Sequence, residues 1–326
     1  MRTRNNSCTL TVDQTAKVGD WMTASGKLGP VLLGTGLLMA ATALPLGAQT
    51  ASGHGDTRQP AIQLVRDVVY NEAQDRERDS HWEYRSDFAT PEKRVLREQV
   101  ETSKGPVFRM MELNGVPLND AQQAQEERRI EGYIHDPAQV ARIARAHEDD
   151  ENRVAATLRL LPQALLFDYL PSSNEEVAVL AFRPNPAFNP PTYEARLIHT
   201  LTGTVTVNVR QKRMVDMRGT VAERVDFGYG ILGHVEKGGN FEIHRRPVNA
   251  AHWKTDLVDV HLQGKVLLLK TVSKDEREAR SDFRPVPGGT TLAEAKDMLD
   301  RATGDTQARL MPADGQRATA EGRGNR

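Results

Sequence analysis

Residues 201–243 read LTGTVTVNVRQKRMVDMRGTVAERVDFGYGILGHVEKGGNFEI, and a period of two runs through them. In Thr204 to Arg210 the valines Val205, Val207 and Val209 alternate with Thr206 and Asn208. That alternation predicts a strand with one apolar and one wet face. A basic turn follows at 210–213, and Val215 and Met217 continue the alternation on the next strand. Val225, Phe227 and Tyr229 predict another strand, bent or bulged by Gly228, Gly230 and Gly233. Gly238-Gly239 predicts a hairpin turn between Val235 and Phe241. Val258, Val260 and Leu262 then alternate with Asp259 and His261, and Gly264 is expected to turn the chain into the apolar run 266–269.

Upstream, the signals are mixed. Pro60 opens a helix whose Ile62, Leu64, Val65, Val68 and Val69 share one face. Trp82, Tyr84 and Phe88 suggest a strand. Residues 95–101 and 107–113 flank Ser103-Lys104-Gly105 as a hairpin, and Asn114-Gly115 marks the next turn. Residues 119–161 read as mainly helical, with Asp136 as an N-cap and Pro137 in the first turn of a second helix. Leu158, Leu160, Leu161, Leu165, Leu166, Phe167 and Leu170 form an apolar segment broken by Pro162. It is expected to be a lid or core-crossing helix. Val177, Val179 and Ala181 predict a strand ended by a proline-rich loop at 184–191. A short helix is expected at 291–299, and residues 301–326 read as a disordered tail.

The predicted class is therefore α+β: one large curved antiparallel sheet, an incomplete barrel. An N-terminal helix and a helical block inserted at about 119–170 cover its apolar face, within a single domain at 60–300. Ahead of it, Lys27 and the apolar run LGPVLLGTGLLMAATALPLG (28–47) make a secretory signal peptide, with small residues Gly47 and Ala48 at its exit. The run is close to the roughly 20 residues that span a bilayer, so an uncleaved anchor is the competing reading. Residues 1–21 are expected to come from an over-extended start, with Met22 as the alternative beginning, and 49–59 form a linker. The expected location is periplasmic or secreted, with peripheral or no membrane association after cleavage. The one cysteine, Cys8, lies in the leader, so neither disulfides nor cysteine metal sites are expected beyond it. A formal charge of −1 excludes a broad nucleic-acid footprint.

In its order of elements, this chain resembles the LolA/LolB family, whose fold is an incomplete antiparallel barrel wrapped over helices. The family includes periplasmic lipoprotein carriers and sigma-factor regulatory relatives. Residues 201–243 carry the likeness, followed by Trp253 to Lys265 with its W-x-x-D and H-x-x-G-K spacing. It spans about 60–290. The insert at 119–170 departs from the carriers, and no residue matches their lid arginine. The resemblance implies the fold and no particular cargo.

Signatures of chemistry are absent: there is no H-E-x-x-H, G-x-S-x-G, P-loop or Rossmann fingerprint. His147 and Glu151 would share a helix face, but two ligands do not close a metal site. His234, His244, His252 and His261 fall in successive strands or turns without common spacing, and Asp256 and Asp259 near His261 are ordinary strand carboxylates. The glycines of 228–239 precede no helix that would bind phosphate. No metal, cofactor or catalytic residue is expected, and the chain reads as no enzyme.

The remaining candidate is the apolar face. Val205, Val207, Val209, Val215, Met217, Val258, Val260 and Leu262 are the expected lining of a hydrophobic ligand cavity, with Leu161, Leu165, Leu166 and Phe167 as its lid. The competing reading is that helices fill this face as ordinary core. The expected function is non-catalytic binding of a lipid or lipoprotein acyl chain. The alternative is a cell-envelope sensor or protein-interaction module whose partner is another envelope protein.

Overall fold

The computed structural model describes residues 59–78, 81–227, 233–266 and 270–310. The apolar run 28–47, Cys8, Met22, the linker up to residue 58, Gly228 to Gly230, Leu267 to Leu269 and residues 311–326 lie outside them. The described elements are, in order, α1 (Ala61–Arg78), β1 (Trp82–Ala89), β2 (Arg94–Val100), β3 (Val107–Leu113), β4 (Val116–Pro117), α2 (Asp120–Ile134), α3 (Pro137–Ala164), β5 (Leu165–Leu170), β6 (Val177–Pro184), α4 (Tyr193–Ile198), β7 (Leu201–Asn208), β8 (Arg213–Val221), β9 (Val225–Phe227), β10 (Gly233–Val235), β11 (Asn240–Pro247), β12 (Trp253–Val266), β13 (Lys270–Pro285) and α5 (Leu292–Leu310).

The strands form one open antiparallel sheet in the order β4-β3-β2-β1-β13-β12-β11-β8-β7-β6-β5, with β9 and β10 attached beside β12. Most neighbours are consecutive in sequence, as local hairpins require. Asn114 and Gly115 join β3 to β4 with φ of 54° and 77°, the positive pair that a tight two-residue hairpin demands. Three pairings join strands that are not consecutive. The last strand, β13, returns to β1, β11 skips β9 and β10 to lie on β8, and β10 skips β11 to lie on β12.

Residues paired across antiparallel strands share a face. Successive pairings therefore trace rows across the sheet. One row runs Tyr169, Leu180, Val205, Met217, Ile243, Val258 and then Glu278. The next runs Phe167, Phe182, Gly203, Gly219, Phe241, Val260 and then Glu276. Glycine is needed at 219: a Cβ there would stand 2.7 Å from the Phe241 ring and 3.0 Å from Phe182.

Two cores flank the sheet. In the first, Leu64, Val65 and Val68 of α1 pack on Leu180, Phe182, Val205, Val207, Met214 and Met217, with Ala164 and Leu165 completing it. In the second, Ile130 and Tyr133 of α2 and Ala295 and Leu299 of α5 close over Val100 and Val107. The helix α3 joins them. Its start is set by Asp136, whose carboxylate accepts from the Ala138 and Gln139 amides at 3.0 Å each, with Pro137 in the first turn. Val140 and Ile143 pack on the second core, and Leu160 and Leu161 on the first.

Several sequence expectations change. Residues 165–170 are not helical: they form the edge strand β5, so the insert at 119–170 ends as helix at Ala164. Leu165, Phe167 and Tyr169 alternate inward and pair with β6, a period-two signal that Pro162 and the leucine density obscure. Gly238-Gly239 does not close a hairpin between its flanking strands, because β10 pairs with β9 and β12 instead of β11. Gly264 is no turn but lies within β12, where the His234 carbonyl oxygen comes 2.3 Å from the position of an added Cβ. The expected loop is followed by a helix that the sequence reading did not contain, α4, capped by Thr192, whose hydroxyl accepts from the Ala195 amide at 3.2 Å. The helix α5 continues to Leu310, through the first residues of the expected tail. Once packing of Ala295 and Leu299 has nucleated a helix, polar residues can extend it.

Candidate ligand-binding face

The eight residues expected to line a cavity divide into three groups. Val205, Val207 and Met217 are buried in the first core beneath α1. Val209 is 42 % exposed just beyond β7, and the half-buried Val215 sits at a bulge where the register shifts between Thr206 and Val207. Val258, Val260 and Leu262 are half-buried on β12 and lie on the face of the first core, continuing its rows beyond Ile243 and Phe241. The helix α1 packs on β5 and β8, and no helix packs comparably on β12 among the described residues. The apolar face is thus closed core over β5 to β8 and a half-open strip over β11 and β12: Phe241, Ile243, Val258, Val260 and Leu262.

The four expected lid residues do not form one element. Leu161 lies in the last turn of α3 and packs on the first core. Leu165 is buried at 1 %, and Phe167 packs against that core with its ring 6.3 Å from Phe182. Leu166 is half-buried on the strand between them.

Beside the open strip the chemistry changes within one strand spacing. Leu262, Val260 and Val258 stand opposite Lys274, Glu276 and Glu278 of β13. Lys274 Nζ lies 3.5 Å from Glu276 Oε2, with the two side chains 18 % and 24 % exposed. Glu278 is held more firmly. Its Oε1 accepts from the Ser86 hydroxyl at 2.6 Å and from Arg97 at 3.0 Å, and its Oε2 accepts from Arg280 at 2.6 Å. Burial alone would raise the Glu278 carboxyl, but the Arg280 and Arg97 guanidiniums and the Ser86 hydroxyl outweigh it and hold the group at about 2. The Arg97 guanidinium also lies 5.4 Å from the Phe108 ring centre and 5.8 Å from that of Phe88. Burial pushes the nearby Tyr84 phenol up, out of the range where it could ionise in ordinary conditions. At the Lys274 end, a cavity of about 250 Å³ opens between the 236–240 turn and β12 and β13, lined by Lys237, Asn240, Leu262, Lys274 and Asp275 among others.

A second ionic cluster fixes α1. Glu72 is 2 % exposed and accepts from Arg213 Nε and Nη2 at 3.1 Å each and from the Met214 amide at 3.2 Å, and it pairs with Arg245. Asp75 pairs with Arg213, lies 3.8 Å from Arg245, and stands 3.4 Å from His252 Nδ1. These charges bind the end of the helix that covers the core.

The strand histidines do not converge. His234 meets Glu236 at 2.7 Å, His244 meets Asp256 at 2.6 Å, and His261 meets Asp259 at 2.9 Å and Asp275 at 2.7 Å. His147 and Glu151 are exposed on α3. Among the described residues no group of three or more His, Cys, Asp or Glu side chains could hold a metal ion. Nor is any described helix long and apolar enough to cross a membrane.

Sequence reasoning passed over Lys274, Glu276, Glu278 and Arg280 because β13 carries charges on both faces. The one available signal was that these four recur at period two. Comparison of the chain with protein-family models, with curated proteins and with solved structures finds no match.

Proposed function

We propose that this chain is a non-catalytic binding protein for a hydrophobic ligand, a lipid or an acyl chain, acting in the periplasm or outside the cell. The LolA/LolB-like reading of the open sheet belongs to this proposal. The observation that carries it is the half-open strip of Phe241, Ile243, Val258, Val260 and Leu262, which prolongs a closed core and has no comparable helix over β12 among the described residues. From Val258 to Leu262 the strip extends roughly 13 Å at about 3.3 Å per residue. About ten methylenes fully withdrawn from water would correspond to micromolar binding before the cost of association. The buried members Val205, Val207 and Met217 would form the floor of a deeper site only if α1 moved.

A second reading has its own observation. Between Ile143 and Leu160 no residue of α3 belongs to either core, and Val154 is 40 % exposed there. A bridging helix of this kind also suits a protein partner, as an envelope sensor requires.

The test is titration of the full chain with an environment-sensitive fluorescent fatty acid, compared with a Val258→Asp/Val260→Asp variant. The proposal expects saturable binding that weakens at least tenfold in the variant while the melting temperature stays within a few degrees. Absence of saturable binding by the native chain sinks it and favours the partner reading.

A further inference from the structure

We propose that the site selects amphiphiles with a zwitterionic head, one phosphate-like anion beside one ammonium-like cation, an inference that rests on the hydrophobic-ligand reading. Residues opposite one another on antiparallel strands share a face, so Lys274 stands beside Leu262 and Glu276 beside Val260. A tail lying along Val258, Val260 and Leu262 therefore passes the Glu276 carboxylate and reaches the Lys274 cation at the Leu262 end. Their heads are 3.5 Å apart and both retain some exposure. A group of either single sign would satisfy one and face the other at close range. A zwitterion complements both.

There is also room for a head. The cavity of about 250 Å³ is lined by Leu262 and Lys274 together, so the apolar strip and the cation of the pair meet at its wall, while Glu276 stands one step further along the strip beside Val260. The charges of the lining balance: Lys237 joins Lys274 as a second cation, and Glu236 and Asp275 are two carboxylates that also contact His234 and His261. The lining thus repeats the mixed sign of the pair. A site for an anion alone would need a cationic excess that this wall lacks.

The experiment compares three ligands that share one acyl chain: a lysophospholipid with a phosphoethanolamine head, one with an anionic phosphoglycerol head, and an uncharged monoacylglycerol. Binding to the full chain is measured by calorimetry below the micelle concentration of each. The proposal expects the zwitterionic ligand to bind at least tenfold more tightly than the other two. In Lys274→Gln the preference over monoacylglycerol is lost, and in Glu276→Gln it moves toward the phosphoglycerol head. Equal affinity for all three, or an anionic preference in the native chain, overturns the head selection and leaves the apolar strip standing. Binding of none of them overturns the strip reading itself. If a variant proves unfolded by circular dichroism, the three affinities of the native chain decide alone.

Discussion

Replacing Glu278 by glutamine keeps the side-chain shape and removes one charge from a buried set of partners. In the native protein that carboxylate is 7 % exposed and is held at about 2 by Arg280, Arg97 and Ser86 against the opposing effect of burial. A group whose folded value is depressed adds stability above its unfolded value and loses it as pH falls through the folded one. With an unfolded value near 4.5, the linkage is on the order of 3 kcal/mol at pH 7, falls to about 1 kcal/mol near pH 3 and is nearly gone at pH 2. Glu278→Gln should therefore cost about 3 kcal/mol at neutral pH, within the range for breaking a buried ion pair. The cost should shrink as acid protonates the native carboxyl. Glu98 acts with the opposite sign. Burial raises its carboxyl although Arg85 and Arg284 oppose that, so it weakens the fold at neutral pH and ceases to do so in acid. Comparing native and variant chains at each pH cancels that background. The assay is urea unfolding of both chains at pH 7, 5, 4 and 3. A difference that stays constant from pH 7 to pH 3 would refute the electrostatic account and assign the effect to packing. A difference below about 1 kcal/mol at pH 7 would show that the network contributes little.

Other outcomes follow from the same geometry. Glu72→Ala leaves Arg213 and Arg245 without their buried carboxylate and should cost about 3–5 kcal/mol, read by thermal unfolding, with amide exchange rising first along α1. Gly219→Val drives a side chain into Phe241 and Phe182 and should cost about 1–3 kcal/mol or more in urea, whereas Gly115→Ala, with nothing near its Cβ, should show only the smaller strain of its positive φ. Asp136→Ala removes the acceptor of the Ala138 and Gln139 amides and should cost about 1 kcal/mol, a loss that Asp136→Ser largely avoids.

Much of the fold was legible wherever one face is wet and the other dry. The valines of β7, the hairpin of β2 and β3, the apolar stripe of α1 and the Asp136-Pro137 start of α3 all follow from local spacing and were read from it. What escaped reading depends on tertiary context. The strand β13 runs KTVSKDEREARSDFRP and has no apolar stripe, yet it lies mid-sheet between β1 and β12. Its charges are matched by Ser86, Arg97 and each other, information that lies nearly 200 residues away in the chain. The strand β5 was hidden because Leu165 to Leu170 fit helical and extended spacing about equally, and only pairing with β6 decides between them. Gly264 illustrates the same limit. A glycine in an alternating run signals a turn or a close approach, and the carbonyl that approaches it belongs to another strand. Of the candidate face, the residues themselves were legible from alternation. Their division into closed core and open strip was not, since it depends on which strands α1 reaches.

The most direct test of the central claim is native mass spectrometry of the full chain, purified without added lipid and then mixed with a single-chain phospholipid. The account predicts a discrete one-to-one complex whose added mass extracts into organic solvent and is diminished by Val258→Asp/Val260→Asp. A chain that stays ligand-free at every lipid concentration, with the native fold intact by circular dichroism, would contradict it and leave the β11–β12 strip as ordinary half-buried sheet.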